Sequence, residues 1–301
     1  MIQRTQDEVT RDWPNDEKEA TLSICCTTYN HEHYIKDALN SFLMQKTNFK
    51  FEILVRDDCS QDNTSNIIKK YVEAFPKIIK PIFESENQYS KGIKGLVLLF
   101  QKSNAPYLAI CEGDDYWSDP DKLQQQVDFL EKHPDYVMTY TDVIAFNTDG
   151  TITDYPKGAT KDLTAKQLQE ATPINTLTTC FRNHFEQIPP EHFIAPYGDL
   201  FIWSYLGQYG KGKYISHILP SKYRVHKESI HSSQKRDVQL EMWLRTSMAL
   251  YTYHTRLNNL ELAKSFRSTI FTLLLQNMTS MQIIKQTYKE IKKKLKRHLS
   301  R

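Results

Sequence analysis

Apolar and polar positions along residues 21–132 alternate between two rhythms. TLSICCTTYN (21–30), FEILVRDD (51–58) and YLAIC (107–111) are short, nearly continuous apolar runs rich in strand formers, each ending in polar residues. Between them the apolar positions fall three and four apart, as a helix face requires. Ile35, Leu39, Phe42 and Leu43 mark one such face, and Ile67, Ile68, Tyr71, Val72 and Phe75 another. GLVLLFQKS (95–103) predicts a third helix, and the segment from Pro120 to about Lys132, closed by Pro134, a fourth. IIKPIFE (78–84) reads as a strand whose Pro81 lacks the ladder N–H and suits a sheet edge. This alternation predicts βαβ units: an α/β fold with a mostly parallel sheet flanked by helices.

Beyond Asp135 the pattern changes. YVMTYTDVIAFN (136–147) reads as one strand, with a turn at Asp149-Gly150. Residues 151–180 are mixed, and DLFIWSYLGQYG (199–210) is an apolar, aromatic helix. Residues 213–229 read as strand then loop, and from Lys235 onward helix formers dominate. The expected organisation is a polar lead-in (1–20), a first α/β half (21–145), a second half (146–234) and a helical extension (235–301).

In parallel sheets ligands bind outside the carboxyl ends of the strands. Three polar clusters occupy such ends: Thr27–Asn30, Asp57–Asp62 and Glu112–Asp115. Adjacent carboxylates such as Asp114 and Asp115 repel unless something positive neutralises them. A hard divalent cation does so, and Mg²⁺ typically binds through one or two carboxylates plus substrate phosphates. The alternative is an exposed turn; Asp119 reads as the cap of the following helix in either case.

The three segments TLSICCTTYNHEHYIKDALNSFLMQ, FEILVRDDCSQDNT and YLAICEGDDYWSDPDKL, taken in order, resemble the nucleotide-sugar-binding half of the family 2 glycosyltransferases of GT-A fold. The resemblance spans roughly residues 21–145 and continues more loosely to about 230. It implies a GT-A core and inverting transfer from a nucleotide sugar, UDP-linked by expectation, to a saccharide or lipid-linked acceptor in bacterial surface polysaccharide assembly. Position by position, it implies that Thr27 and Tyr29 hold the base, that Asp58 accepts a hydrogen bond from it, and that Asp114 lies near the ribose. Asp115 is expected to bind Mg²⁺ or Mn²⁺. The family's usual Asp-x-Asp stands here as Glu112-Gly113-Asp114-Asp115, so which acid touches metal stays open. Lys91, with Lys94, sits where relatives carry a basic residue near the nucleotide.

An acceptor hydroxyl needs a general base across from the leaving group. The resemblance places that base at a helix start in the second half, which points to Asp199, with Glu191 and Asp142 as weaker rivals. The family's acidic doublet is missing, since Gly198 precedes Asp199. The Tyr223-Arg224-Val225-His226 segment resembles the family's post-sheet loop, which implies His226 as a metal ligand and Arg224, with Lys227, near the diphosphate. Imidazole is a competent ligand and Arg suits phosphate. Two other readings stay open. A nucleotidyltransferase shares such a sheet but needs a Gly-rich, basic loop after the first strand, where this chain has CTTYNHEHY. A non-catalytic nucleotide-binding scaffold would lack the base.

Charge sharpens the picture at one place. The 301-residue chain has net charge +3, but residues 282–301 hold eight Lys/Arg against Glu290 alone. That segment contributes +7 and leaves −4 for the rest, which argues against a nucleic-acid binder. Ile284, Tyr288, Ile291, Leu295 and Leu299 make one apolar stripe among those lysines. Such a basic amphipathic helix suits an anionic membrane surface; packing on the body or an oligomer contact is the alternative. No run of about 18 apolar residues predicts a spanning helix, and the polar start shows no secretory signal. The five cysteines form no CxxC and number odd, which suits reduced thiols. The expected setting is therefore cytoplasmic, peripheral to the inner membrane face. GxSxG, GxGxxG and P-loop motifs are absent.

Overall fold

The computed structural model describes residues 4–15, 19–226 and 235–276. The chain divides into two units: Met1–Pro189 with Gly198–Ser232, and Pro190–Tyr197 with Ser233–Arg301.

The first unit opens with a short helix α1 (Gln6–Val9), then runs β1 (Leu22–Thr28), α2 (Ile35–Leu43), β2 (Phe51–Asp57), α3 (Thr64–Ala74), β3 (Ile79–Phe83), α4 (Gly95–Lys102), β4 (Tyr107–Ile110) and α5 (Lys122–Lys132). It continues with β5 (Tyr136–Tyr140), β6 (Val143–Asn147), β7 (Gly150–Ile152), α6 (Ala165–Gln169), β8 (Cys180–Arg182), α7 (Gly198–Leu206), β9 (Lys211–Tyr214) and β10 (Ser221–Arg224). A seven-stranded sheet has the order β3-β2-β1-β4-β8-β5-β9. Neighbours are parallel except where β8 pairs antiparallel with β4 and with β5. A second, three-stranded sheet has the order β10-β6-β7.

Burial on both faces explains the apolar runs. Leu22, Ile24, Cys25 and Cys26 of β1 and Leu108, Ala109 and Ile110 of β4 are fully enclosed. The apolar faces of α2 and α3 cover one side of them, Leu39, Phe42, Ile67 and Ile68 sharing a core with Leu22, Ile24, Cys26 and Ala109. β3 is an edge strand, as Pro81 suggested, and Pro81 pairs with Val55 of β2. The buried cysteines have their thiols pushed up by loss of solvation, Cys25, Cys26 and Cys111 among them, so they act as small apolar groups.

Residues 136–147 depart from the single-strand expectation. The chain breaks at Thr141–Asp142: β5 stays in the large sheet, while β6 crosses into the small one beside β10. The Asp142 carbonyl accepts the Ser221 N–H at that break (3.0 Å), a contact 79 residues away that no local pattern encodes.

Among its described residues the second unit holds two α-helices, α8 (Arg236–Arg256) and α9 (Leu260–Gln276), joined through Asn258 at φ 57°. Ala249, Leu250 and Tyr253 of α8 and Leu262, Ala263 and Phe266 of α9 are among its buried apolar residues. His254 lies parallel to the Phe266 ring at 5.5 Å.

Candidate active site

The strand order reverses between β1 and β4: the chain steps from β1 outward to β3, then returns to place β4 on the other side. Both strands end at this switch point, where the carboxyl ends of a parallel sheet leave a crevice. Gly113 lets the two ends close up. A Cβ there would lie 2.8 Å from Thr28 Cβ and Oγ1 and 3.0 Å from Ile35 Cδ1. The Gly113 N–H instead donates to the Thr27 carbonyl at 2.9 Å.

Three acids and two histidines meet beyond this contact. The His226 ring Nε2 lies 3.0 Å from Asp114 Oδ2, and His31 Nε2 lies 3.8 Å from the same oxygen. One ligand atom from each of His31, Asp114 and His226 falls within 4.8 Å of the other two. Asp115 is buried and turns elsewhere, its Oδ1 accepting the Arg224 backbone N–H at 2.7 Å. Glu112 accepts from the Thr176 hydroxyl at 3.1 Å.

The electrostatics follow from this crowding. Burial raises the Glu112 carboxyl to about 7, helped by the charges of Asp114 and Asp199. Burial raises Asp115 as well, with Asp114 and Glu112 adding repulsion. Burial opposes ionisation of Asp114 too, but the His226 hydrogen bond and the nearby His31 outweigh it and hold that carboxyl below its ordinary value. Within the group, Asp114 is the acid whose charged form its surroundings favour, and its two neighbours are pushed the other way.

Arg224 closes the site from β10. Its Nε donates to the Asp114 carbonyl at 2.9 Å and its Nη2 to Asp37 at 2.8 Å. The guanidinium carbon sits 4.7 Å from the Phe146 ring centre and 4.8 Å from that of Tyr34. Arg224 therefore ties β4, α2 and β6 together. The expectation for it was a diphosphate contact, and this web holds its charge beside the acids.

Of the expected nucleotide residues, Asp58 is buried at the end of β2. It accepts from Arg56 Nη2 (3.0 Å) and from the N–H groups of Gln88 (3.0 Å) and Tyr89 (2.9 Å). It thereby anchors the segment carrying Lys91, which is half-exposed and ion-paired with Glu86. Thr27 is half-buried at the end of β1, and Tyr29 beyond it is 41% exposed.

Asp199 lies in the first turn of α7 rather than ahead of it, close enough for its charge to raise Glu112. Asp142 sits at the β5–β6 break, where its carboxylate pairs with the Tyr214 hydroxyl. Glu191 belongs to the second unit and forms a two-pronged ion pair with Arg256, at 2.7 and 2.9 Å. Asp119 does not cap α5. Its Oδ1 accepts the Asp121 N–H, and its Oδ2 accepts the Leu219 N–H at 2.9 Å, binding the acidic loop to the approach of β10. Lys227 and the basic stripe of residues 282–301 lie outside the described residues. His31 was not among the expected site residues; its only sequence signal is its place in TTYNHEHY, three residues past β1.

Comparison with known proteins agrees with this geometry. An uncharacterized protein of Mycobacterium tuberculosis, Rv1520, is 34% identical over 173 residues, covering 56% of this chain and 49% of the relative. The match therefore spans about half that relative's length. The Bacillus subtilis protein TuaG, described as a putative teichuronic acid biosynthesis glycosyltransferase, is 28% identical over 214 residues, 71% of this chain and 82% of that one. The crystal structure of Staphylococcus aureus TarS 1–349 in complex with UDP-GlcNAc superposes with a TM-score of 0.57 at 19% identity, covering 76% of this chain and 66% of that one. That likeness shows the fold, a GT-A core with a helical region after it. The family model for glycosyl transferase family 2 matches residues 23–188, which hold β1 to β4, the acidic strand end and His31. By that match over more than half its length, the chain belongs to glycosyl transferase family 2.

Proposed function

We propose that the protein is an inverting, metal-dependent glycosyltransferase that moves a sugar from a UDP-sugar to a saccharide or lipid-linked saccharide acceptor. Its setting on this reading is the assembly of a bacterial surface polysaccharide, such as lipopolysaccharide or capsule. The observation that carries it is the end of β4. There the Asp114 carboxylate lies 3.0 Å from the His226 imidazole, at the switch point of a family 2 sheet. The TuaG and TarS likenesses support the substrate class.

Residues 21–145 form the donor half and 146–234 the acceptor half on this reading. Thr27, Tyr29 and Asp58 receive the nucleoside, with Lys91 at its margin. The mixed nitrogen and oxygen donors at Asp114 and His226, with Asp115 adjacent, fit Mn²⁺ or Mg²⁺. Such a cation, when bound, supplies Lewis-acid stabilisation of the diphosphate leaving group. Arg224 keeps a fixed positive charge beside the same acids. Asp199 removes the proton from the acceptor hydroxyl as it attacks the anomeric carbon, and the C–O bond to the diphosphate breaks. One displacement inverts the configuration.

Peripheral membrane contact belongs to the same proposal. Among the described residues no helix is long and apolar enough to cross a membrane. One face of α9 nevertheless exposes Leu260, Lys264, Arg267, Phe271 and Leu275 at helical spacing, with Phe271 64% exposed. Apolar and basic residues sharing one exposed face suit an anionic lipid surface, and the basic residues 282–301 follow in sequence.

Calorimetric titration with UDP and with GDP, each with and without Mn²⁺, tests the reading. UDP binding that needs Mn²⁺ and vanishes in Asp114→Ala is the expected result. Asp199→Ala should retain UDP binding and lose transfer. Absence of binding to either nucleotide overturns the proposal.

A further inference from the structure

His31 has no part in the reading above, yet its position is over-determined. The preceding Asn30 adopts φ 55°, a left-handed conformation that few residues other than glycine, Asn and Asp take up. Asn30 is clamped to the loop after β2: its N–H donates to Ser60 Oγ at 2.9 Å, and its Oδ1 accepts the Gln61 N–H at 2.8 Å. On the other side the Glu32 N–H donates to Asp62 at 2.9 Å, and the Glu32 carboxylate accepts the Asn63 N–H at 2.9 Å. The His31 carbonyl accepts the N–H groups of Tyr34 and Ile35 at the start of α2. Backbone held on three sides turns the imidazole inward, where its side chain is 16% exposed and faces Asp114. Its ring meets that of His226 edge-on, with centres 6.1 Å apart.

We propose that His31, Asp114 and His226 together hold the divalent cation as two imidazoles and one carboxylate, and that His31 makes the site select Mn²⁺ over Mg²⁺. The inference rests on the transferase reading only for the presence of a cation at Asp114. Octahedral bonds of about 2.1 Å put adjacent donor atoms about 3 Å apart. The His226–Asp114 separation of 3.0 Å already has that value. The 3.8 Å from His31 needs a closure of under 1 Å, within reach of a side-chain rotation of a half-buried ring. Mg²⁺ demands oxygen donors and holds its waters tightly; Mn²⁺ also suits oxygen donors, but it opens the transition-ion series, which accepts nitrogen donors more readily than Mg²⁺ does. A set with two nitrogen donors and only one carboxylate therefore favours Mn²⁺. Its single negative charge leaves a net positive centre open to an anionic diphosphate.

The test uses the full chain, with MnCl₂ as the titrant and the paramagnetic resonance of free aqueous Mn²⁺ as the signal. Titrations run without nucleotide and with UDP, followed by competition with MgCl₂. Pulsed resonance of bound Mn²⁺ should show coupling to two imidazole nitrogens in the native protein and one in His31→Ala. Loss of even an outer-shell partner weakens metal binding 10–100-fold, so His31→Ala should weaken Mn²⁺ by at least about tenfold. His31→Asp should regain binding and move the Mn²⁺/Mg²⁺ preference toward Mg²⁺ by about tenfold or more. A native spectrum with one coupled nitrogen, or unchanged Mn²⁺ affinity in a folded His31→Ala, overturns the inference and leaves the transferase reading intact. Absence of Mn²⁺ binding even with UDP overturns both.

Discussion

Replacing Arg56 with Met should destabilise the first unit by about 3 kcal/mol and release the segment around Tyr89. Arg56 is 2% exposed on β2. It donates from Nη2 to Asp58 (3.0 Å) and from Nε to Glu84 (2.8 Å). Its guanidinium also fills the space beside Gly95 at the head of α4. Removing one partner of a buried ion pair costs about 3–5 kcal/mol, because an unpaired buried charge remains. Two features place this case at the lower end. Asp58 keeps the N–H donors of Gln88 and Tyr89, and Glu84 is exposed enough to rehydrate. At roughly 2–4 °C per kcal/mol, thermal unfolding should shift down by ~6–12 °C. Adding Asp58→Asn removes the stranded charge, so the double variant should recover at least about 1 kcal/mol relative to additivity. Amide exchange at Gln88 and Tyr89 should speed up in each single variant. A cost under about 1 kcal/mol for Arg56→Met in urea unfolding, or simple additivity of the two effects, would show that Asp58 does not depend on Arg56 for its charge.

Gly113→Ala puts a methyl group 2.8 Å from the Thr28 side chain; overpacking of that kind costs about 1–3 kcal/mol, and metal-dependent UDP binding should fall with it, as denaturant unfolding and calorimetry would show. Burial depresses the Lys122 ammonium to about 8 from its ordinary 10.5. Between those values the unfolded chain holds a proton that the folded one lacks, so stability should rise from pH 8 to 10. Lys122→Met should flatten that rise and be neutral or stabilising by about 1–3 kcal/mol at pH 7, measured by urea unfolding across the range. Glu191→Gln should cost no more than about 1 kcal/mol, since its partner Arg256 is about half exposed and can rehydrate; a larger loss in thermal unfolding would show that the buried Glu191 end dominates the pair.

The sheet was legible where burial is two-sided. β1, β2 and β4 read as unbroken apolar runs because neither face meets water, and Pro81 marked β3 as an edge. The reading stopped where identity of neighbours, not apolarity, decides. β8 is three residues long, too short for any period, yet it separates β4 from β5. The β5–β6 break has apolar residues on both sides and is fixed by Ser221. Asp119 looked like a cap because caps are local; its partner Leu219 stands 100 residues on.

The acidic strand end was visible because three acids in four residues violate ordinary burial. His31 was not, since a single histidine in a polar loop carries no local signature. Its meaning comes from two strained turns. Asn30 at φ 55° and Cys59 at φ 64° end neighbouring strands and are bound to each other's loops. Strain of about 1–3 kcal/mol at such positions persists only where surrounding contacts over-determine it. Here those contacts carry the loop after β1 back over β4 and bring an imidazole to within 3.8 Å of the Asp114 carboxylate. The negative charge at the end of a buried strand and the kink beside it are therefore two halves of one arrangement. Each costs stability alone, and the cation proposed for His31, Asp114 and His226 would make both favourable.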